Sequence, residues 1–178
     1  MHVVLALVAI FELDTLQVDY NNAFAQASTI KEDVYATMPR GFEPSDTKNA
    51  YVLKLNKSLY GLVQSLKAFY DHMSAGLKET EFVTSENDPC LFIHMDMIAI
   101  SWIDDLVFVS RDGSKIDEMF LSLKGLGYDL DKKGGSGLSA FLVIQIQIDR
   151  TEGSIELSQP GLIKKSHPLV HWYARLQH

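Results

Sequence analysis

Two aspartates stand side by side at 104 and 105, between an apolar run over residues 91–103 and a second over 106–109. Ionised carboxylates are costly beside a core unless something offsets them. The two runs therefore read as strands that flank the pair, and Asp104 and Asp105 can be a hairpin turn, an N-cap or half of a metal site. Turn chemistry is the plain explanation, because an Asp side chain bonds its own backbone readily. Two features oppose it. The dipeptide lacks the Gly, Asn or Pro that a two-residue hairpin normally wants. Upstream, Asp19 also ends an apolar strand, and YNNAF follows it instead of an obvious turn.

Around this pair the periodicities alternate between helix and strand. Residues 3–12 read as a helix buried on most sides, and LQVDY (16–20) as a strand. Residues 28–50 carry Pro39, Gly41 and Pro44 and look irregular, with a short strand possible at EDVYATM. YVLKLN (51–56) alternates cleanly. Leu66, Phe69, Tyr70, Met73 and Leu77 keep the i, i+3, i+4, i+7 spacing of an amphipathic helix. Asp88-Pro89 marks a turn. Ile116, Met119, Phe120 and Leu123 share a face of a second helix over 115–127, with Gly127 as its stop. AFLVIQIQID and SIELSQ form a hairpin around Thr151-Glu152-Gly153. The KKGGSG link reads as a loop. Without a regular βαβ rhythm, the expectation is an α+β fold, an antiparallel sheet with helices on one face.

At 178 residues and 47% apolar, the chain can build one sizeable core. The net charge of -7 argues mildly against a freestanding nucleic-acid binder, whose affinity comes largely from basic residues. A local basic groove or bound cations can outweigh the total. With Cys90 alone, no internal disulfide and no Cys-based zinc site can form, and an intracellular compartment is the default. The apolar N-terminus lacks a basic n-region and stops at Glu12, far short of the ~20 residues of a spanning helix. Secretion and membrane insertion are not expected, and the sequon at Asn56 is read as chance. None of the six histidines is read as part of a ligand set, and His72 reads as solvated on a polar helical face.

If the strands ending at Asp19 and Asp104 are neighbours, their carboxylates can face one another. At ~4 Å two such charges repel by about 1 kcal/mol in water and about 4 kcal/mol at an effective dielectric near 20. Divalent cations make such a cluster tolerable, and hard oxygen donors suit magnesium or manganese. Two such ions can clamp the attacking and leaving oxygens of a phosphoryl transfer. Because side chains alternate along a strand, Asp104 and Asp105 need not serve alike. An unrelated metal-dependent phosphotransferase would fit this spacing too.

Taken together, the segments from about Val3 to Lys165 resemble the reverse transcriptase of copia-type retrotransposons. LDTLQVDYNNAF looks like the family's W-x-x-x-Q-L-D-V-K-x-A-F strand, and EDVYATMPRGFE is similar to E-x-V-Y-M-x-Q-P-x-G-F. VLKLNKSLYGLVQSLKAFYDHM resembles V-x-K-L-x-K-S-L-Y-G-L-K-Q-x-P-R-x-W-Y. NDPCLF, SWIDDLVFVS and LSAFLVIQIQIDRTEGSIELSQ resemble A-D-P-C-L-F, V-Y-V-D-D-I-I-x-x-G and L-x-x-F-L-G-I-E-I-x-R-x-x-x-G-I-x-L-S-Q. Several pieces in the right order make a specific match.

The resemblance implies a palm-like sheet with incomplete fingers and thumb, over residues 1–165, and a divergent tail at 166–178. It implies an RNA-directed DNA polymerase that adds deoxynucleotides to a primer end with two Mg2+ ions, Mn2+ substituting. Its partners would be template, primer, deoxynucleotide triphosphates and other Pol segments, inside the cytoplasm or nucleus. Carried over by position, Asp19 would be the first metal ligand and Asp104 the second, with Asp105 completing or orienting the cluster. Phe24 would be the aromatic gate against a ribose 2′-hydroxyl, rejecting the larger sugar by clash. Gly61 and Gln64 would lie near the templating base and the incoming nucleotide. The closing hairpin, 141–158, would hold the primer end. The chain departs from the pattern at Val63 for lysine, Leu66 and Lys67 for proline and arginine, Trp102 for tyrosine, Val143 for glycine, and AQAS for a polar loop. These departures, with the family's basic fingers segment preceding the matched region, point to a fragment impaired or inactive in isolation. The alternative is a non-catalytic remnant of a retrotransposon with at most weak nucleic-acid or protein binding.

Overall fold

The computed structural model describes residues 2–27, 32–42, 51–134, 137–142, 144–149, 151 and 153–166. The chain runs α1 (His2–Ile10), β1 (Asp14–Tyr20), α2 (Ala23–Gln26), β2 (Val34–Thr37), β3 (Val52–Leu55) and α3 (Ser65–Glu79). It continues with β4 (Val83–Thr84), β5 (Leu91–His94), β6 (Met97–Trp102), β7 (Asp105–Ser110), α4 (Gly113–Gly125) and β8 (Leu130–Lys133). β9 (Ala140–Phe141), β10 (Ile144–Asp149), β11 (Ser154–Ser158) and α5 (Pro160–Ser166) complete it. The mixed α+β class and the mainly antiparallel pairing agree with expectation.

The main sheet has the order β4-β5-β6-β7-β1-β8, with every neighbouring pair antiparallel. β2 pairs with β3, and β10 lies between β9 and β11, in two smaller sheets. The apolar run 91–103 is not one strand. It folds back at Met95-Asp96, where His94 pairs with Met97 and Met95 stands 92% exposed. The following run is buried on both sides. Leu106, Val107 and Phe108 are each 0% exposed although successive side chains point to opposite faces, so both faces of β7 must be covered. Each such burial contributes about 1.5–3 kcal/mol.

That requirement corrects the expectation of helices on one face only. On one side, Phe69, Met73 and Leu77 of α3, Ile116, Phe120 and Leu123 of α4, and Phe24 of α2 pack on Val18, Leu106 and Phe108. On the other side, Val4, Leu5 and Val8 of α1 join Phe141 and Ile146 against Ile100, Val107 and Val109. α4 begins two residues before the expected start, because the Asp112 carboxylate accepts the Ser114 N–H as an N-cap at 2.9 Å. It stops as expected. Gly127 takes φ 94°, and Tyr128 N and Gly127 N return to the carbonyls of Leu123 and Lys124.

His72 is not simply solvated. Its ring lies 4.7 Å from that of Tyr128, whose hydroxyl donates to the His72 carbonyl at 2.9 Å. Burial lowers the His72 pKa, and the Lys57 charge adds to that. Residues 28–31 and 43–50 of the irregular stretch, 135 and 136 of the KKGGSG link, Val143 and the tail from 167 lie outside the described residues.

Candidate active site

β1 is the strand on which the site is built. It is paired on both edges, so its side chains meet residues from two distant parts of the chain. Asp19 is the direct partner of Asp105 on β7 and of Asp131 on β8. Directly paired residues share a face, so three carboxylates form a row across β7, β1 and β8. This row lies on the face that carries Val107 and α1.

One cation bridges two of them. Lys133 Nζ donates to Asp19 Oδ1 at 3.2 Å and to Asp105 Oδ1 at 3.0 Å. Gln17 Nε2, on the same face of β1, also donates to Asp105 Oδ1 at 3.2 Å. The hydrogen bond to Asp105 holds the Lys133 ammonium above the usual lysine range, partial burial opposes this, and the bond to Asp19 adds to it. Asp131 is engaged elsewhere. The Asn21 amide donates to Asp131 Oδ2 at 2.8 Å and to Asp129 Oδ1 at 3.0 Å.

Asp104 sits on the connection between β6 and β7. Trp102 pairs with Asp105, so Ile103 and Asp104 form a two-residue loop. Ile103 takes φ 54° there. A β-branched residue in that region costs on the order of 1–3 kcal/mol, a strain that concentrates at functional sites. The Asp104 carbonyl accepts the Tyr20 N–H at 3.2 Å, which ties the loop to the end of β1. The Asp104 side chain faces Tyr60. The phenol of Tyr60 is held above the usual tyrosine range by partial burial, then by the charges of Asp104 and Asp19, and by its hydrogen bond to Asp104.

Phe24 lies on the short helix α2 and is 5% exposed. Its ring meets Tyr60 edge-on at 4.5 Å and Phe69 at 6.0 Å. Gln26 locks this helix to the approach of β8: its Nε2 donates to the carbonyls of Asn21 and Asp129, and its Oε1 accepts the Asp129 N–H. Gly61 takes φ 95° in open space, so this glycine is needed for the backbone bend after Tyr60. Gln64 is the N-cap residue of α3. The neighbouring Ser65 hydroxyl donates to the Leu59 carbonyl at 2.7 Å and pins the segment that presents Tyr60.

The structure therefore brings Asp19, Asp104 and Asp105 to one end of the sheet, but unevenly. Asp19 and Asp105 share a cation, while Asp104 lies on the loop beside Tyr60. Among the described residues no three His, Cys, Asp or Glu side chains converge closely enough to hold a metal ion by themselves. Two carboxylates still suit magnesium, which is usually bound by one or two carboxylates plus substrate phosphates. The ammonium of Lys133 between them marks a place where positive charge is accommodated.

Tyr60, Lys133 and Gln17 were not foreseen. Tyr60 had a signal, lying just before the Gly61 bend. Lys133 had a weaker one, the alternation in YDLDKK that reads as an edge strand once the loop interpretation is set aside.

A sequence profile of the family described as "Reverse transcriptase (RNA-dependent DNA polymerase)" matches residues 1–166. The chain belongs to the reverse transcriptase family of copia-type retrotransposons. It is 30% identical, over 91% of its length, to the Retrovirus-related Pol polyprotein from transposon TNT 1-94 of Nicotiana tabacum, covering 12% of that protein. It is 33% identical, over 80% of its length, to the Pol polyprotein from transposon RE1 of Arabidopsis thaliana, covering 10% of it. The Truncated transposon Ty1-A Gag-Pol polyprotein of Saccharomyces cerevisiae is 28% identical over 61% of this chain, which covers 9% of that protein. This reverse transcriptase segment thus spans about a tenth of the length of the curated relatives it matches. Among its described residues no helix is long and apolar enough to cross a membrane.

Proposed function

We propose that this chain is the palm-bearing segment of an RNA-directed DNA polymerase, over residues 1–165 with a divergent tail at 166–178. Its reaction would be addition of deoxynucleotides to a primer end. One observation supports this reading most: Asp19 and Asp105, 86 residues apart in sequence, are direct cross-strand partners whose carboxylates share a cation. Two Mg2+ ions, with Mn2+ as substitute, would lower the barrier by activating the primer hydroxyl and neutralising the triphosphate. Asp19 and Asp105 would hold such ions, and Gln17 would orient Asp105. Asp104 would supply a third carboxylate, steered by Tyr60. Phe24, Gly61 and Gln64 would line the nucleotide, with Phe24 acting on the sugar through Tyr60.

Template, primer, deoxynucleotide triphosphates and other Pol segments are the proposed partners, in the cytoplasm or nucleus. In isolation the chain is proposed to extend primers poorly. Val63, 93% exposed, offers no positive charge at the start of α3, and positioning supplies much of the catalysis in phosphoryl transfer. Primer extension with Mg2+ and Mn2+ tests the reading. Extension that survives Asp104→Asn would show the assignment to be wrong.

A second reading, a non-catalytic remnant, draws on Lys133 already neutralising the acidic pair. Calorimetric titration with Mn2+ separates the two. Saturable binding that Asp19→Ala abolishes supports a retained site, and no binding supports the remnant.

A further inference from the structure

We propose that Lys133 is a built-in counter-cation of the candidate metal site, holding Asp19 and Asp105 together in the ion-free fold and competing with a divalent ion for both carboxylates. This rests on the metal-site reading above. The geometry is specific. Lys133 takes one oxygen from each carboxylate, at 3.2 and 3.0 Å, and so would compete with any divalent ion that the two carboxylates would hold. Two cations cannot share the pair without strong repulsion. The ion must therefore displace the ammonium.

The other groups facing the pair do not offer the same compensation. Gln17 brings a neutral amide to Asp105, and Trp102 stands opposite Asp105 with no charge. Asp131 adds a negative charge beside Asp19 and is held by Asn21. Lys132 points to the other face, where it pairs with Asp117 at 2.6 Å and lies over the Phe120 ring. Lys133 is the last residue of an edge strand and its side chain is 50% exposed, so it can swing into solvent while the ladder of β8 stays paired. The ion-free fold thus tolerates adjacent carboxylates, at the expense of affinity for the divalent ion.

The test is Mn2+ titration of the full chain by calorimetry, with free Mn2+ followed by electron paramagnetic resonance. Lys133→Met and Lys133→Gln remove the charge, Lys133→Arg keeps it, and Asp19→Asn removes a ligand. Both neutral variants should bind Mn2+ about tenfold more tightly than the parent, about 1.4 kcal/mol. Lys133→Arg should stay near the parent, and Asp19→Asn should lose binding. Equal affinity in parent and neutral variants overturns the competition and leaves the metal site standing. No saturable binding in any of them removes the site and the competition together. Should both neutral variants lose their fold by circular dichroism, Mg2+ titration of the unaltered chain decides: the Lys133 side-chain resonance must move as the ion binds, and a stationary resonance overturns the proposal.

Discussion

Phe24 lies beneath Tyr60, the two rings edge to face with centroids 4.5 Å apart, one residue 5% exposed and the other 64%. A ring that rejects a ribose must touch the sugar, and here Tyr60 presents the outer surface. Tyr60→Ala should therefore raise ribonucleotide incorporation relative to deoxynucleotide about tenfold or more, and Phe24 substitution should act in the same direction. Phe24→Ala also opens a cavity costing about 3–5 kcal/mol, so Phe24→Leu is the cleaner comparison. Single-nucleotide extension with each sugar measures both. Unchanged discrimination in Tyr60→Ala would detach Tyr60 from the gate.

The three aspartates should separate by assay. Asp19→Asn and Asp105→Asn remove charge where Lys133 is now held, so each should abolish Mn2+ binding and lower primer extension about a hundredfold or more. Asp104→Asn should also suppress extension, because its carboxylate is the one that Tyr60 addresses. It should leave part of the Mn2+ binding in place. Full Mn2+ affinity in Asp105→Asn would contradict the cross-strand pair as ion holder.

Tyr20 predicts an alkaline weakness. Its hydroxyl is buried and finds no hydrogen-bond partner among the described residues. Burial, then the neighbouring Tyr128, pushes its pKa far above the ordinary 10.0. The native state therefore keeps a proton that the unfolded chain loses above about pH 10. Stability that is intact below that value should fall as pH rises further. Tyr20→Phe removes both the unpaired hydroxyl and the titration. It should gain about 1 kcal/mol at neutral pH and flatten the alkaline loss, read from urea unfolding at pH 7 and 10.5.

Gly76→Ala should destabilise the fold by about 1–3 kcal/mol despite the helix propensity of alanine. A Cβ there would lie 2.4 Å from the Tyr128 ring, which is 8% exposed and anchored to the His72 carbonyl. Thermal unfolding measures it. A gain in stability would mean that the Tyr128 ring moves aside freely.

What could be read in advance followed from local periodicity and from motif order. The amphipathic spacing of Leu66 to Leu77 and the alternation of β10 and β11 each predicted an element now seen. Gly127 marked a helix end because only its left-handed backbone could close that turn. The double-sided burial of β7 was less visible, since a continuous apolar run does not say what covers each face. The expectation of helices on one face therefore left no place for α1 on the other. β8 was hidden by its charges. Leu130 is its one buried residue, and Asp131, Lys132 and Lys133 look like loop until strand pairing gives each a partner. The sequence reading set Asp104 opposite Asp19, whereas the register pairs Asp19 with Asp105 and leaves Asp104 on the loop. Which aspartate of the dipeptide faces β1 depends on strand register, and a shift by one residue exchanges the faces.

β1 joins partners drawn from far along the polypeptide: 88 positions separate Gln17 from Asp105, and 114 separate Asp19 from Lys133. Emergence from the ribosome runs N-terminus first, so the acidic row must wait for β7 and then for β8 before its geometry exists. Loop closure over such spans predicts that this ladder forms slowly. A nascent chain that has docked β7 but not β8 would hold its two aspartates without the lysine, so the cation balance proposed for this site would differ before and after β8 arrives.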